Sequence, residues 1–375
     1  MSEVERIKQK QQAAVLEEAG RVMQICNACK YCEGICALFP AMGLRRTFTA
    51  GELNYLANLC HNCRGCYYAC QYIPPHEFNL NFPKAMCALR NQTYEQAATP
   101  AFLRKLFPNN AFYVFSVSLA ATVLLTAIAM CWTGTADFFS VHTGPGSFYK
   151  IMPYKLMLTV FGAAALFALV ALWMGVCALW KMTSGKKQWL DLASHKQAIR
   201  EVCTLKHLDG GGDGCNYPDD QFSMIRRWFH HAVFYGFLLC LASTTVAFFY
   251  DHGLNLPAPY GPFSLPVIFG TVGGLGLVIG TGGMMWLKLV MDTRPSAPGS
   301  VGMDTAFSML LFLVSLSGLL LLFLRSTELM GLLLCIHLGL VLGLFLTMPC
   351  GKFVHAVYRY AALVRNAHEQ RTGQI

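Results

Sequence analysis

Two runs of the chain share one register: Cys26-Asn-Ala-Cys29-Lys-Tyr-Cys32-Glu-Gly-Ile-Cys36 and Cys60-His-Asn-Cys63-Arg-Gly-Cys66-Tyr-Tyr-Ala-Cys70. Each reads C-x2-C-x2-C-x3-C, the spacing of paired 4Fe-4S clusters. A cubane needs soft, deprotonated thiolates at its corners; three closely spaced cysteines wrap one cluster and the fourth crosses to the other. By that rule Cys26, Cys29, Cys32 and Cys70 hold one cluster, and Cys60, Cys63, Cys66 and Cys36 hold the second. Structural zinc and scattered buried thiols are the competing readings, but zinc sites usually pair C-x2-C units across longer gaps. Pro40 after the first run, and Pro74 with Pro75 after the second, resemble the proline that commonly follows such runs. The intervening segment Ala41 to Leu59 contains Gly51-Glu-Leu-Asn-Tyr-Leu-Ala-Asn and reads as helical, so an α-helical ferredoxin domain is expected rather than a strand-rich one. Upstream, Glu3 to Gly20 sets Ile7, Ala14, Val15 and Leu16 among charged residues and Gln and reads as an exposed helix.

Outside these runs the chain is unusually apolar: 375 residues, 55% hydrophobic and 13% charged, with mean hydropathy +0.42. Soluble chains carry roughly 25% charged residues, so an ordinary water-soluble enzyme and a disordered protein are both excluded. The first hundred or so residues show no charged-then-apolar leader of the secretory type, and the 16 cysteines therefore point to metal ligation rather than disulfides. Residues 1–108 form a polar head. Beyond it six stretches contain no Asp, Glu, Lys or Arg: 112–132, 156–180, 228–250, 264–287, 305–324 and 329–351. At about 1.5 Å per residue each is long enough to cross a hydrocarbon core of about 30 Å. The fourth holds Gly270, Gly273, Gly274, Gly276, Gly280, Gly282 and Gly283, a composition that suits close packing between membrane helices. The expected fold is all-α: the head (1–108), a transmembrane bundle of about six helices (109–360) with a long loop (181–227), and a tail (361–375).

Basic residues set the orientation. The long loop carries Lys181, Lys186, Lys187, Lys196, Arg200, Lys206, Arg226 and Arg227, and the end of the chain carries Lys352, Arg359, Arg365 and Arg371, whereas Asp251 to Pro266 has none. Head, loop and tail are therefore expected in the cytoplasm of a bacterium, with the bundle in its inner membrane. The net charge of +9 is mostly this topogenic signal, and nucleic acid is not an expected partner. Uncharged spans also speak against an ion-coupled transporter, which needs an intramembrane charged residue.

Four histidines lie in or beside spans where imidazole could bind haem iron: His230, His231, His337 and His355. His355 pairs with His230 or His231 at the head side. His337 and His355 stand 18 residues apart, five turns of a continuous helix, which would put both on one face about 27 Å apart. His252, about 31 Å beyond His231 along a helix, is the nearest partner for His337. One or two b-type haems are expected, against the alternative that these are hydrogen-bonded packing residues. His142, His195 and His207 lie in loops and read as ordinary. The run His207-Leu-Asp-Gly-Gly-Gly-Asp-Gly-Cys215 is either a flexible connector or a surface close to a cofactor or partner; it lacks the context of a phosphate loop. Cys87, Cys131, Cys177, Cys203, Cys240, Cys335 and Cys350 read as small buried apolar residues, and Trp173, Trp180, Trp189 and Trp228 as an interfacial belt.

Taken together, the cysteine runs, the spans, Gly-Gly-Gly-Asp-Gly-Cys and Phe-His-His-Ala-Val-Phe-Tyr-Gly-Phe resemble the tricarballylate/citrate utilization protein B family over essentially the whole length. The resemblance implies a membrane electron carrier with two 4Fe-4S clusters and b-type haem. Such a carrier reoxidises the FAD of a partner dehydrogenase acting on tricarballylate and delivers electrons to membrane quinone. The implied chain has no substrate chemistry of its own and no catalytic residues. The spacing of His337 and His355 also resembles the last helix of the nitrate reductase gamma subunit, a dihaem quinol oxidase whose earlier helix has two ligand histidines ten residues apart; here Leu241 stands at that distance from His231. A fusion relative acts in cobalamin ring synthesis, which leaves the partner's substrate open. A redox-sensing membrane iron–sulfur protein and a tricarboxylate transporter are the readings from other classes.

Overall fold

The computed structural model describes residues 3–36, 38–183 and 187–373. Helices α1 (Glu3–Cys29), α2 (Leu38–Gly43), α3 (Ala50–Leu59), α4 (Gly65–Tyr68) and α5 (Phe82–Ala97) build the head. The bundle contains α6 (Asn110–Thr133), the short α7 (Thr135–Phe138) and α8 (Ser147–Ile151), and α9 (Tyr154–Met182). Helix α10 (Leu192–Thr204) lies in the long loop, followed by α11 (Ile225–Leu254), α12 (Leu265–Val290), α13 (Pro298–Leu324), α14 (Met330–Thr347) and α15 (Val354–Thr372). The all-α expectation holds: the strands among the described residues are two-residue pieces, Cys215–Asn216 against Phe222–Ser223. Six helices are long and apolar enough to cross a membrane, and each covers one of the charge-free stretches to within a residue at either end.

Local sequence explains the boundaries. Helix α3 opens with a capping box: the Thr49 hydroxyl accepts from the Glu52 N–H at 3.3 Å while Glu52 accepts from the Thr49 N–H at 2.9 Å. Helix α1 runs past the expected Gly20 to Cys29, because Val22 and Met23 turn its second half into the buried head core. The fourth stretch does use glycine for close approach. A Cβ on Gly236 of α11 would lie 2.8 Å from the Gly273 carbonyl oxygen of α12, and one on Gly280 would lie 2.8 Å from the Phe229 carbonyl oxygen.

Two expectations are corrected. His337 and His355 do not share a continuous helix: α14 ends at Thr347, Met348-Pro349-Cys350 forms a tight turn, and α15 begins only at Val354. Pro349 lacks an N–H and its ring clashes with the preceding turn, so the five-turn alignment is lost. The tryptophan belt is split. Trp173 and Trp228 face outward, whereas Trp180 packs edge-on against Trp189 at 5.0 Å, beside the head core.

Helix α15 joins the two halves. Ala362, Leu363 and Val364, expected in a tail, belong to the same buried core as Val22, Leu56 and Met86 of the head. Glu369, fully buried, accepts from Arg45 at 2.6 Å and from Arg365 at 2.7 Å, and Tyr55 donates to it at 3.2 Å.

Candidate functional site

The eight motif cysteines form two groups where the head meets the bundle. Cys26 and Cys29 end α1, and the turn after it brings Cys32 round. These three and Cys70 line one cavity closed by Phe39 and Tyr72, and Cys66 reaches its wall from the second group. In the second group Cys36, which follows the first turn, lies against Cys60 and Cys63, and Cys66 against Cys63, Cys36 and Cys60. The fourth cysteine of each run thus lies near the first cysteines of the other run: Cys70 by Cys26, and Cys36 by Cys60 and Cys63.

Burial together with neighbouring thiols pushes Cys26 and Cys63 up to about 12 and Cys32 to about 11, and raises Cys36 and Cys66 as well. Thiols so placed become thiolates when a cationic group neutralises them, which is the environment a metal cluster meets. Among the described residues no three His, Cys, Asp or Glu side chains converge on a single-ion site. A cubane distributes its ligands over separate irons and does not need such convergence.

The second cysteine loop is held by arginines that sequence reasoning missed. Arg90 of α5 donates to the Cys60 carbonyl at 2.6 Å and Arg359 of α15 to the same oxygen at 2.9 Å. Arg226 of α11 donates to the Asn62 carbonyl at 2.7 Å and the His61 carbonyl at 3.3 Å. Arg64 reaches across to the Asp292 carbonyl at 3.0 Å and the Ser296 hydroxyl at 2.6 Å. The glycine-rich loop closes the same place. Asn216 donates its N–H to the Cys63 carbonyl at 3.0 Å, and a Cβ on Gly211 (φ 94°) would lie 3.3 Å from the Gly34 carbonyl oxygen. Cys215, a thiol outside the two runs, lies close enough to Cys63 to raise it; its sequence signal is the Gly-Gly-Gly-Asp-Gly before it. His207 is more than a loop residue: it bonds Glu201 at 3.0 Å and its ring lies 5.0 Å from that of His61.

One turn from two of these arginines stand two histidines. His230 follows Arg226 by four residues on α11, His355 precedes Arg359 by four on α15, and their ring centroids are 6.3 Å apart. Two imidazoles ligating one ion from opposite sides place their centroids roughly 6 Å apart, from a metal–nitrogen bond of about 2 Å and a ring radius of about 1.2 Å on each side. His355 Nδ1 bonds the Lys352 carbonyl at 2.8 Å, which leaves Nε2 with its lone pair outward, the arrangement of a metal-ligating imidazole. Burial and the nearby Lys352 and Arg359 hold His355 well below its ordinary value and hence neutral. His230 carries a buried Nδ1 without a hydrogen-bond partner. The pair fits a haem iron.

The other candidates lie elsewhere. His231 turns toward Tyr235 (ring centroids 5.9 Å) and Trp228 (6.5 Å). His337 lies over Gly318 and bonds the Ser317 hydroxyl and the Val314 carbonyl, both at 3.1 Å. His252 is exposed, stacks on Phe248 at 4.1 Å and bonds Tyr154. Among the described residues no hydrogen bond or ring contact joins His252 to His337.

The fold and site define a membrane protein of six spanning helices with an iron–sulfur head. Residues 110–374 match the family model described as citrate utilization protein B, and residues 19–96 match that family's Fer4-like domain. The chain belongs to the citrate utilization protein B family. It is 45% identical over 361 residues to the citrate utilization protein B of Escherichia coli, covering 95% of this chain and 93% of that one. No solved structure matches it.

Proposed function

We propose that this chain is an electron-transfer subunit of a bacterial inner membrane, with its head, long loop and C-terminal helix in the cytoplasm. It reoxidises the FAD of a cytoplasmic dehydrogenase, of the tricarballylate type that the family resemblance implies, and delivers the electrons to membrane quinone. Cys26, Cys29, Cys32 and Cys70 hold one 4Fe-4S cluster, Cys36, Cys60, Cys63 and Cys66 the other, and His230 with His355 one b-type haem. When bound, these groups carry electrons singly, which lets a two-electron flavin donor be emptied stepwise.

The observation that carries this reading is the coupling of the facing histidines to the second cysteine loop. The helices that present His230 and His355 each place an arginine, Arg226 and Arg359, on the backbone of residues 60–62. The chain thereby fixes the histidine pair beside the second thiol group. The positive charge of those arginines favours thiolate there, and the burial of Cys63 and Cys66 keeps water from the sulfurs. No Asp, Glu, Lys or Arg stands in the middle of the six spans, which speaks against an ion-coupled transporter.

The test is an optical spectrum of anaerobically purified protein before and after reduction, with haem, iron and acid-labile sulfide counted on the same sample. About eight non-haem irons and one b haem per chain are expected from two cubanes and one histidine pair. Clusters without haem would refute the transmembrane path and leave a redox-sensing iron–sulfur protein.

A further inference from the structure

The wall around His230 and His355 is polarised. Deeper along the bundle come aromatic rings: Phe237, seven residues past His230 on α11, lies 5.6 Å from Phe353, two residues before His355, and Phe353 lies 6.2 Å from Phe307. On the head side the wall is cationic. Arg226 and Arg359 lie close to His230, and Lys352 and Arg359 close to His355. Lys288, near the end of α12, faces the same place, with Asp304, Lys352 and Arg226 as its charged neighbours.

These cations are not equally committed. Arg226 and Arg359 direct N–H groups at the carbonyls of the second cysteine loop. Lys352 pairs with Asp304 at 2.7 Å. Lys288 has a buried ammonium nitrogen with no hydrogen-bond partner, and among the described residues no carboxylate lies within ion-pair distance of it. A buried ammonium without a hydrogen-bond partner is costly; the one carboxylate nearby, Asp304, is paired with Lys352, and Arg226 adds further positive charge, so cations outnumber anions and the place is suited to a further anion. The ligand already inferred here has matching asymmetry: a porphyrin is apolar along one edge and carries two carboxylates on the other.

Resting on the haem assignment under Proposed function, we propose that Lys288, with Lys352 beside it, is the carboxylate-binding end of the haem pocket and takes the propionate groups. The haem then lies with its apolar edge toward Phe237, Phe307 and Phe353 and its carboxylates toward the head. Lys288 anchors and orients the group; His230 and His355 hold its iron.

The experiment titrates full-length protein, made haem-free by expression without haem precursors, with haem and with haem dimethyl ester, whose carboxylates are blocked. Wild type should bind haem about tenfold or more tightly than the ester, the worth of a charge-assisted hydrogen bond. Lys288→Met should remove that preference while binding the ester as wild type does, and Lys288→Arg should restore it. Iron and sulfide contents, expected unchanged, show that the variants are folded. Equal binding of haem and ester by wild type, or an undiminished preference in Lys288→Met, overturns the assignment and leaves lipid phosphate as the anion of Lys288. Failure of wild type to bind either form overturns the haem reading itself. A misfolded Lys288→Met leaves the wild-type comparison of haem with ester to decide.

Discussion

The haem-ligand role proposed for His355 rests on three features: Nδ1 on the Lys352 carbonyl at 2.8 Å, the His230 ring centroid 6.3 Å away, and Arg359 one turn on. Replacement by alanine removes one imidazole of the pair, and His355→Ala is expected to purify with little haem while keeping its iron and sulfide. Wild-type haem content in that variant would sink the assignment. The cysteines separate in the same way. Cys29 belongs with Cys26, Cys32 and Cys70, so Cys29→Ser should lower the non-haem iron from about eight to about four per chain. Loss of all iron, or of none, would contradict the crossed ligand sets.

Among the elements, α11 depends most on a neighbour. Over its length only Gly236 is a buried residue, and that glycine is one of the places where α12 touches it. A side chain there meets the Gly273 carbonyl oxygen and the Leu277 backbone at 2.8 and 2.9 Å, both main-chain atoms that cannot move aside alone. Gly236→Leu is therefore expected to cost at least about 1–3 kcal/mol, the price of overpacking, and to shift His230 relative to His355. Thermal unfolding in detergent and haem content measure the two effects; an unchanged midpoint with full haem would show that the contact is not tight. The α12 glycines were legible as a packing signal, but their partner was not, since sequence distance says nothing of which helix lies opposite. The α14–α15 break was legible too, in Pro349, whereas an 18-residue histidine spacing read without it gives a false alignment.

At the scale of the whole molecule, α15 runs from the bundle into the head and is tied there by Glu369. Its carboxylate is fully buried between Arg45 and Arg365, 324 and 4 residues away in sequence, with Tyr55 as a further donor. Glu369→Gln leaves the buried Arg365 without its carboxylate and Arg45 with Glu52 alone, and removing one partner of a buried pair costs about 3–5 kcal/mol. The variant should unfold its head at lower temperature, read by loss of cluster absorbance, while the apolar helices keep their circular dichroism. Simultaneous loss of both signals would instead show that head and bundle unfold as one unit.

The sequence by itself determined the classes of thing this protein contains. Soft ligands at short spacing announce a cluster whatever surrounds them, and charge-free runs longer than a bilayer is thick have nowhere else to go. Those are local properties, set by bond lengths and by the transfer of side chains from water. Only the tertiary structure decided that His230 rather than His231 faces His355, that the glycine-rich loop and four arginines close on the second cysteine loop, and that the Lys288 ammonium nitrogen is buried without a hydrogen-bond partner. Each of these joins residues far apart in the chain. Which partner a side chain meets is fixed by how the helices pack, and no periodicity within one helix records it.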